Sequence, residues 1–380
     1  MEPPPKLPAL LSSVLALGLL AVIIASCGGD SSSPTPRPRL VDTPSSANAA
    51  ASAIQGESGP AAGNGALALV KLPADEGAHN AGIEWWYFNG HLADDLAQGY
   101  SFHFVTFQTG GNSPQASQAG QLLQLSWGDH AGGTYLTAEK LNLRAAEAVP
   151  GSFAVRSAGW FMSGNGSDYA LAFDVGMYSV ELQAASRKPA ALHQGTGLVS
   201  LGPAGDTYYY TQPRLELSGI LTVDGQPRRV SGIGWMDHQW GEFASRRVGW
   251  DWMSLQLDDG SELMAALVWD PDGRQPFASY GTFISSDGAA RRLGEGEIRL
   301  TSVGSWTSST TGTVYPMGWE LSVTPLRLRL ILTPVHQDSE FPRSRYGPPA
   351  YWEGAVSLAG EVGGSLATGR GFVELVGYGH

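Results

Sequence analysis

The chain holds a single cysteine, Cys27, among 380 residues, so no intrachain disulfide can form and the fold must rest on its core. Charge is scarce as well. Only 15% of the residues are Asp, Glu, Lys or Arg, and 23 basic side chains stand against 35 acidic ones, a formal net charge of -12. Neutralising phosphates needs a basic face, and no Lys/Arg cluster is present, which disfavours a nucleic-acid partner. Several catalytic signatures are missing: there is no Gly-x-Ser-x-Gly elbow, no Walker loop and no His-Glu-x-x-His pair. The histidines are scattered. His91 and His103 are placed to face each other across a hairpin, but two nitrogens without a clustered third ligand make a poor metal site. No metal or other cofactor is expected.

What the chain has instead is 42% hydrophobic residues, 50 glycines and 12 tryptophans. Short apolar runs rich in Val, Leu, Thr and aromatic residues alternate with turn signals such as Asp94-Asp95, Gly132-Gly133, Gly164-Asn165-Gly166, Asp224-Gly225, Asp259-Gly260 and Asp287-Gly288. This spacing predicts an all-β protein of barrels or sandwiches. Leu326 to Leu332 reads as a clean period-two strand with its leucines on one face. Helix is expected only as a turn or two around Ala138 to Ala148.

The first 66 residues read differently. An apolar run from Leu10 to Ile24, behind a head carrying Lys6, has the length of a signal-peptide core. It ends in Ile24-Ala25-Ser26-Cys27, which resembles the bacterial lipobox, so residues 1–26 are expected to be a lipoprotein signal peptide and Cys27 the lipidated residue. Residues 27–66 are Ser, Pro, Ala and Gly with almost no bulky apolar side chain, the composition of a flexible tether. The expected location is the bacterial cell envelope, lipid-anchored to a membrane and facing the periplasm or the cell exterior.

Beyond the tether the chain repeats itself in order. A tryptophan-rich hairpin from Ile83 parallels one from Gly249, and Gly-x-Gly-aromatic-aliphatic-acid closes both halves, at Gly232 to Asp237 and at Gly369 to Glu374. Two β-domains are predicted, at 67–243 and 244–380. The first closes on Gly234-Trp235-Met236-Asp237-His238-Gln239-Trp240-Gly241. In an extended strand Met236, His238 and Trp240 share one face, while Trp235, Asp237 and Gln239 share the other. Asp237 therefore needs a bulge to touch His238, which makes Asp251 or Asp270 of the next hairpin the alternative acid. The aromatic residues fill two cores on one reading and line a cavity for an apolar ligand on the other. For His238 and Asp237 a structural hydrogen bond competes with a functional role.

The chain resembles the carotenoid 1,2-hydratase (hydroxyneurosporene synthase) family, also called AttH-like. The resemblance rests on His79 with Glu84-Trp85-Trp86-Tyr87 and Gly90-His91-Leu92, on Tyr208 to Leu215, on Gly234 to Gly241, on Asp258 to Met264, and on Tyr351-Trp352-Glu353-Gly354 with Gly371 to Leu375. It implies two tandem lipocalin-like, calycin-like antiparallel β-barrels. It also implies a hydro-lyase adding water to an isoprenoid double bond, with His238, Trp240, Asp237 and Asp270 as the catalytic set. Glu84, Trp86, Tyr87, His91, Tyr209 and Trp252 are the expected contacts to a hydrophobic small molecule, a carotenoid or other isoprenoid or lipid. The rival expectation is a non-catalytic envelope lipoprotein that binds or transfers a lipid-like ligand, with an envelope transporter as partner.

Overall fold

The computed structural model describes residues 69–109, 120–143, 149–243, 248–272 and 274–379. Cys27, the signal-peptide segment and the tether lie outside them.

A first antiparallel sheet is built from β1 (Ile83–Asp94), β2 (Gly99–Thr109), β3 (Gly120–Asp129), β4 (Thr134–Asn142), β5 (Phe153–Ser157), β6 (Trp160–Gly164), β7 (Asp168–Val175), β8 (Tyr178–Ser186), β9 (Ala191–Leu192), β10 (Leu198–Ser200), β11 (Gly205–Val223) and β12 (Gln226–Phe243). A second follows with β13 (Gly249–Leu257), β14 (Glu262–Trp269), β15 (Pro276–Ile284), β16 (Ala290–Leu293), β17 (Ile298–Thr307), β18 (Val314–Val323), β19 (Leu328–Pro334), β20 (Glu340–Phe341), β21 (Tyr351–Val362) and β22 (Ser365–Val376). The protein is all-β as predicted, with two curled, barrel-like sheets. The order is β4-β3-β2-β1-β12-β11-β8-β7-β6-β5 in the first and β16-β15-β14-β13-β22-β21-β19-β18-β17 in the second. In both, the opening strand lies between its hairpin partner and the closing strand of the same half. The outer strands of the first sheet are bridged by side chains, Asn142 Nδ2 donating to the Arg156 carbonyl at 3.2 Å and Lys140 Nζ to the Ala158 carbonyl at 2.8 Å.

Local chemistry explains the turns. Asp224 and Gly225 both take positive φ, 47° and 77°, the two-residue turn whose twist suits a hairpin. Leu328, Leu330 and Leu332 are buried while Arg329 and Ile331 are exposed, as period two demands, but the strand starts two residues later than the sequence pattern. Thr324–Leu326 is a 3-10 turn and Arg327 adopts φ 46°. Among the described residues the helical turn expected from Ala138 is not formed: residues up to Asn142 continue β4, whose Ala138 pairs with Leu125, while 144–148 of the expected turn lie outside the described residues. Cross-strand packing there overrides the helix propensity of alanine.

Apolar side chains gather in three places. One core fills the first sheet, with Trp86, Phe88, Phe104, Trp127, Leu217 and Met236, and another fills the second, with Leu255, Trp319, Leu330, Trp352 and Val373. A third lies where the sheets meet and takes Tyr87, Tyr209 and Trp235 from the first with Trp252, Met264 and Phe372 from the second. Full burial of a Leu or Phe side chain contributes roughly 1.5–3 kcal/mol. The sheets are further tied by Glu262, which pairs with Lys188 at 2.7 Å and Arg214 at 2.5 Å.

Candidate functional site

β12 divides the polar chemistry of the molecule. From Trp235 to Trp240 its even-numbered side chains enter the first core and its odd-numbered ones enter the seam between the sheets, the alternation expected of a regular strand. Glycines at both ends of the motif let neighbouring backbone come close. A Cβ on Gly234 would lie 2.8 Å from the Asn89 carbonyl oxygen, and one on Gly241 would lie 2.7 Å from that of Asp206.

Inside the first sheet, His238 Nε2 lies 2.8 Å from Glu84 Oε1 and His238 Nδ1 lies 3.3 Å from the Tyr210 hydroxyl. Tyr210 donates in turn to Glu76 Oε2 at 2.5 Å. His79 Nδ1 reaches the same Glu84 oxygen at 2.8 Å. Trp86 stacks on His238 at 4.8 Å and Trp240 stacks on His79 at 3.9 Å. Burial holds His238 below its ordinary value, only partly offset by Glu84. Burial would raise Glu84, but its hydrogen bonds to His238 and His79 outweigh that and hold it below the usual range. The arrangement is a neutral imidazole beside an ionised carboxylate.

Between the sheets the chemistry is of another kind. Asp237 accepts hydrogen bonds from the Tyr209 hydroxyl at 2.6 Å and the Trp235 indole at 2.8 Å. Trp252 Nε1 donates to the Tyr209 oxygen at 3.0 Å. Tyr87 donates to Glu353 Oε1 at 2.8 Å, and Asn89 donates to the Tyr87 oxygen at 3.1 Å and to Ser254 Oγ at 2.9 Å. Trp250 donates to Glu374 Oε2 at 2.9 Å. Glu353 Oε2, fully buried, has no hydrogen-bond partner among the described residues.

Burial raises all three acids. Asp237 is pushed up to about 7 despite its hydrogen bonds. Glu374 reaches about 7, with the charge of Asp237 adding to the effect of burial. Glu353 lies well above the carboxylate range because burial is reinforced by Glu374 and Asp237. Among the described residues, no Lys or Arg is one of the groups that shift any of the three. Such acids hold protons near neutral pH and can exchange them there.

A groove of about 490 Å³ runs beside this seam, lined by Tyr135 and Thr137 of β4 and by His336, Gln337, Asp338 and Glu340. Tyr135 of its wall donates its hydroxyl to the backbone carbonyl of Glu353 at 2.8 Å. A family model described as AttH-like matches residues 66–378. The chain belongs to the AttH-like family.

Among curated proteins this AttH-like chain is similar to the dehydratase asqC of Emericella nidulans, 25% identical over 205 residues that cover 50% of this chain and 56% of that one. It thus spans about half the length of that relative. A solved AttH structure from Nitrosomonas europaea is 26% identical with a TM-score of 0.73, covering 83% of this chain and 99% of that one. Kievitone hydratase of Nectria haematococca is 17% identical with a TM-score of 0.68, covering 81% and 93%.

The AttH-like chain brings the residues singled out in its sequence into two groups. Asp237, Tyr87, Tyr209 and Trp252 meet between the sheets. Glu84, Trp86, His238 and Trp240 meet inside the first sheet; both groups are buried, and neither is among the residues lining the groove. His91 shares the seam face of β1 but stands apart from the acids, its Nε2 3.1 Å from the Gly371 carbonyl oxygen and its ring against Phe372. Burial lowers it to about 3, so it is neutral. His103 pairs with Asn89 in the ladder rather than with His91, and hydrogen-bonds Ser126 and Tyr351.

Neither alternative acid reaches His238. Asp251 accepts from Tyr378 at 2.7 Å, and Asp270 sits in a turn with its carboxylate on the Asp272 amide. The acid beside His238 is Glu84, brought there by the β1–β12 ladder, where Glu84 pairs with Trp240 and Trp86 with His238. Sequence reasoning missed Glu353 and Glu374 as site residues. The signal for Glu374 was the repeat itself, which puts it at the position of Asp237 in the second half.

Proposed function

We propose that this chain is a hydro-lyase-type acid–base catalyst that adds water to, or removes it from, a hydrophobic isoprenoid-like substrate at the acids between its sheets. The observation that carries the reading is the trio Asp237, Glu353 and Glu374, buried, raised and, among the described residues, with no Lys or Arg among the groups acting on them. A carboxyl that keeps its proton at neutral pH can deliver it to carbon, and one balanced near 7 can take a proton from water. In hydration, Glu353 protonates one alkene carbon and the adjacent carbon takes the positive charge. Water adds to that carbon as its proton passes to ionised Asp237; dehydration is the reverse. Tyr87 and Trp252, with ring centroids 5.4 Å apart, offer π faces to the cation, each contributing roughly 0.5–2 kcal/mol. The groove ending at Tyr135 is the route of entry, and its volume falls within the span of ligand pockets, roughly 300–1,000 Å³.

The dehydratase among the relatives supports the reaction class. The lipobox-like Ile24-Ala25-Ser26-Cys27 supports an exported, lipid-anchored form working in the cell envelope. The test is turnover of an acyclic carotenoid and shorter isoprenoid alkenes, followed as alcohol formation. Asp237→Asn and Glu353→Gln should each lower the rate by at least about 100-fold, the lower range for a lost general acid or base. Full turnover by both variants, or polyene binding by the parent chain with no product, would overturn the proposal; the second outcome would favour a lipid carrier.

A further inference from the structure

The cluster inside the first sheet takes no part in that chemistry, and its geometry has its own logic. His79, Glu84 and His238 come from the segment before β1, from β1 and from β12, and their ligand-type atoms all lie within 4.8 Å of one another. Both imidazoles aim at one atom, Glu84 Oε1, from 2.8 Å. The other carboxylate oxygen is held by the His79 amide at 2.9 Å.

The remote ring nitrogens also face acceptors. His79 Nε2 lies 3.8 Å from Asp75 Oδ1. His238 Nδ1 faces the oxygen of Tyr210, whose own proton goes to Glu76. A neutral imidazole has one N–H and can donate to one side only. His238 therefore cannot donate to both Glu84 and Tyr210, and a second proton on its fully buried ring would carry a heavy desolvation cost.

We propose that His79 Nδ1, His238 Nε2 and Glu84 bind one divalent transition-metal cation, with zinc the best fit to two imidazoles and a carboxylate. Binding moves each ring proton to the remote nitrogen, where the Tyr210 oxygen stands as acceptor for His238 and Asp75 lies 3.8 Å from that nitrogen of the partly exposed His79, so no proton need be gained or lost by the rings. A metal-bound histidine commonly donates its other N–H to an acceptor in this way. Three protein ligands leave the fourth tetrahedral position to water. Trp240 against His79 and Trp86 against His238 fix the ring planes, and His79 and Asp75, with side chains 22% and 26% exposed, open the site to solvent.

The test uses the full chain, stripped with a chelator and titrated with Co2+ while the visible d–d bands are recorded. One Co2+ per chain is expected, displaced by Zn2+, with the bands lost in His79→Ala. Tyr210→Phe should weaken binding roughly 10- to 100-fold. Circular dichroism confirms that the variants are folded. The absence of Co2+ bands in the parent chain, or undiminished binding by folded His79→Ala, would overturn the site. Because the readout is metal binding, its failure is separate from any failure of the hydration assay.

Discussion

Asp237 on β12 and Glu374 on β22 hold equivalent places in the two halves of the molecule. Each lies in the closing strand of its sheet, each pairs across the ladder with an aromatic residue of the opening strand, Tyr87 for Asp237 and Trp252 for Glu374, and each accepts an indole N–H. The internal repeat thus sets two raised carboxyls in one seam, and the third acid, Glu353, lies opposite Glu374 in the β21–β22 ladder.

Stability should fall as pH rises. For an acid whose folded value lies above its unfolded one, the contribution is fully present below the unfolded value and is lost as pH climbs through the folded value. Asp237, moving from 3.8 to about 7, makes this difference on the order of 4 kcal/mol between pH 4 and pH 7. Chemical denaturation against pH should show a steeper decline for the parent chain than for Asp237→Asn. Parallel curves would count against the shift.

Tyr87→Phe keeps the ring that packs on Trp252 but removes the hydroxyl that donates to Glu353 Oε1. Glu353 then loses a bond in a place where its other oxygen already has no partner among the described residues. The expected cost is about 1–3 kcal/mol, read from the denaturation midpoint. A variant as stable as the parent would show that the hydrogen bond carries little.

His238→Ala separates the two faces of β12. The variant leaves Glu84 without one of its two imidazole partners, and a buried carboxylate that loses such a hydrogen bond costs at least about 1–3 kcal/mol. Turnover per folded molecule should stay close to that of the parent, because His238 faces away from Asp237. A folded variant without turnover would return the chemistry to the interior of the first sheet.

Much of this arrangement was legible in the sequence, and what was not has a physical reason. Period-two alternation along Trp235 to Trp240 placed His238 and Asp237 on opposite faces, because a strand side chain has only two directions. The partner of His238 could not be read the same way. Glu84 lies 154 positions away, and their contact depends on the β1–β12 register, which local pattern does not encode. Glu374 was visible as the echo of Asp237, but only the packing of one sheet on the other turns two separate acids into neighbours. Ala138 misled for the converse reason: its propensity is local, and its strand is imposed by β3.

Cys27→Ser addresses the anchor. Metabolic labelling with a radioactive fatty acid should mark the parent chain and not the variant, and the variant should leave the membrane fraction. Label retained by the variant would contradict lipidation at Cys27.

The central claim is that acids between the sheets hold protons near neutral pH. Carboxyl 13C NMR of the chain labelled at Asp and Glu, with Asp237→Asn and Glu374→Gln for assignment, measures this directly. The account predicts two resonances with midpoints near pH 7, each lost in its own variant. Midpoints for both groups in the ordinary carboxylate range, about pH 4, would contradict it.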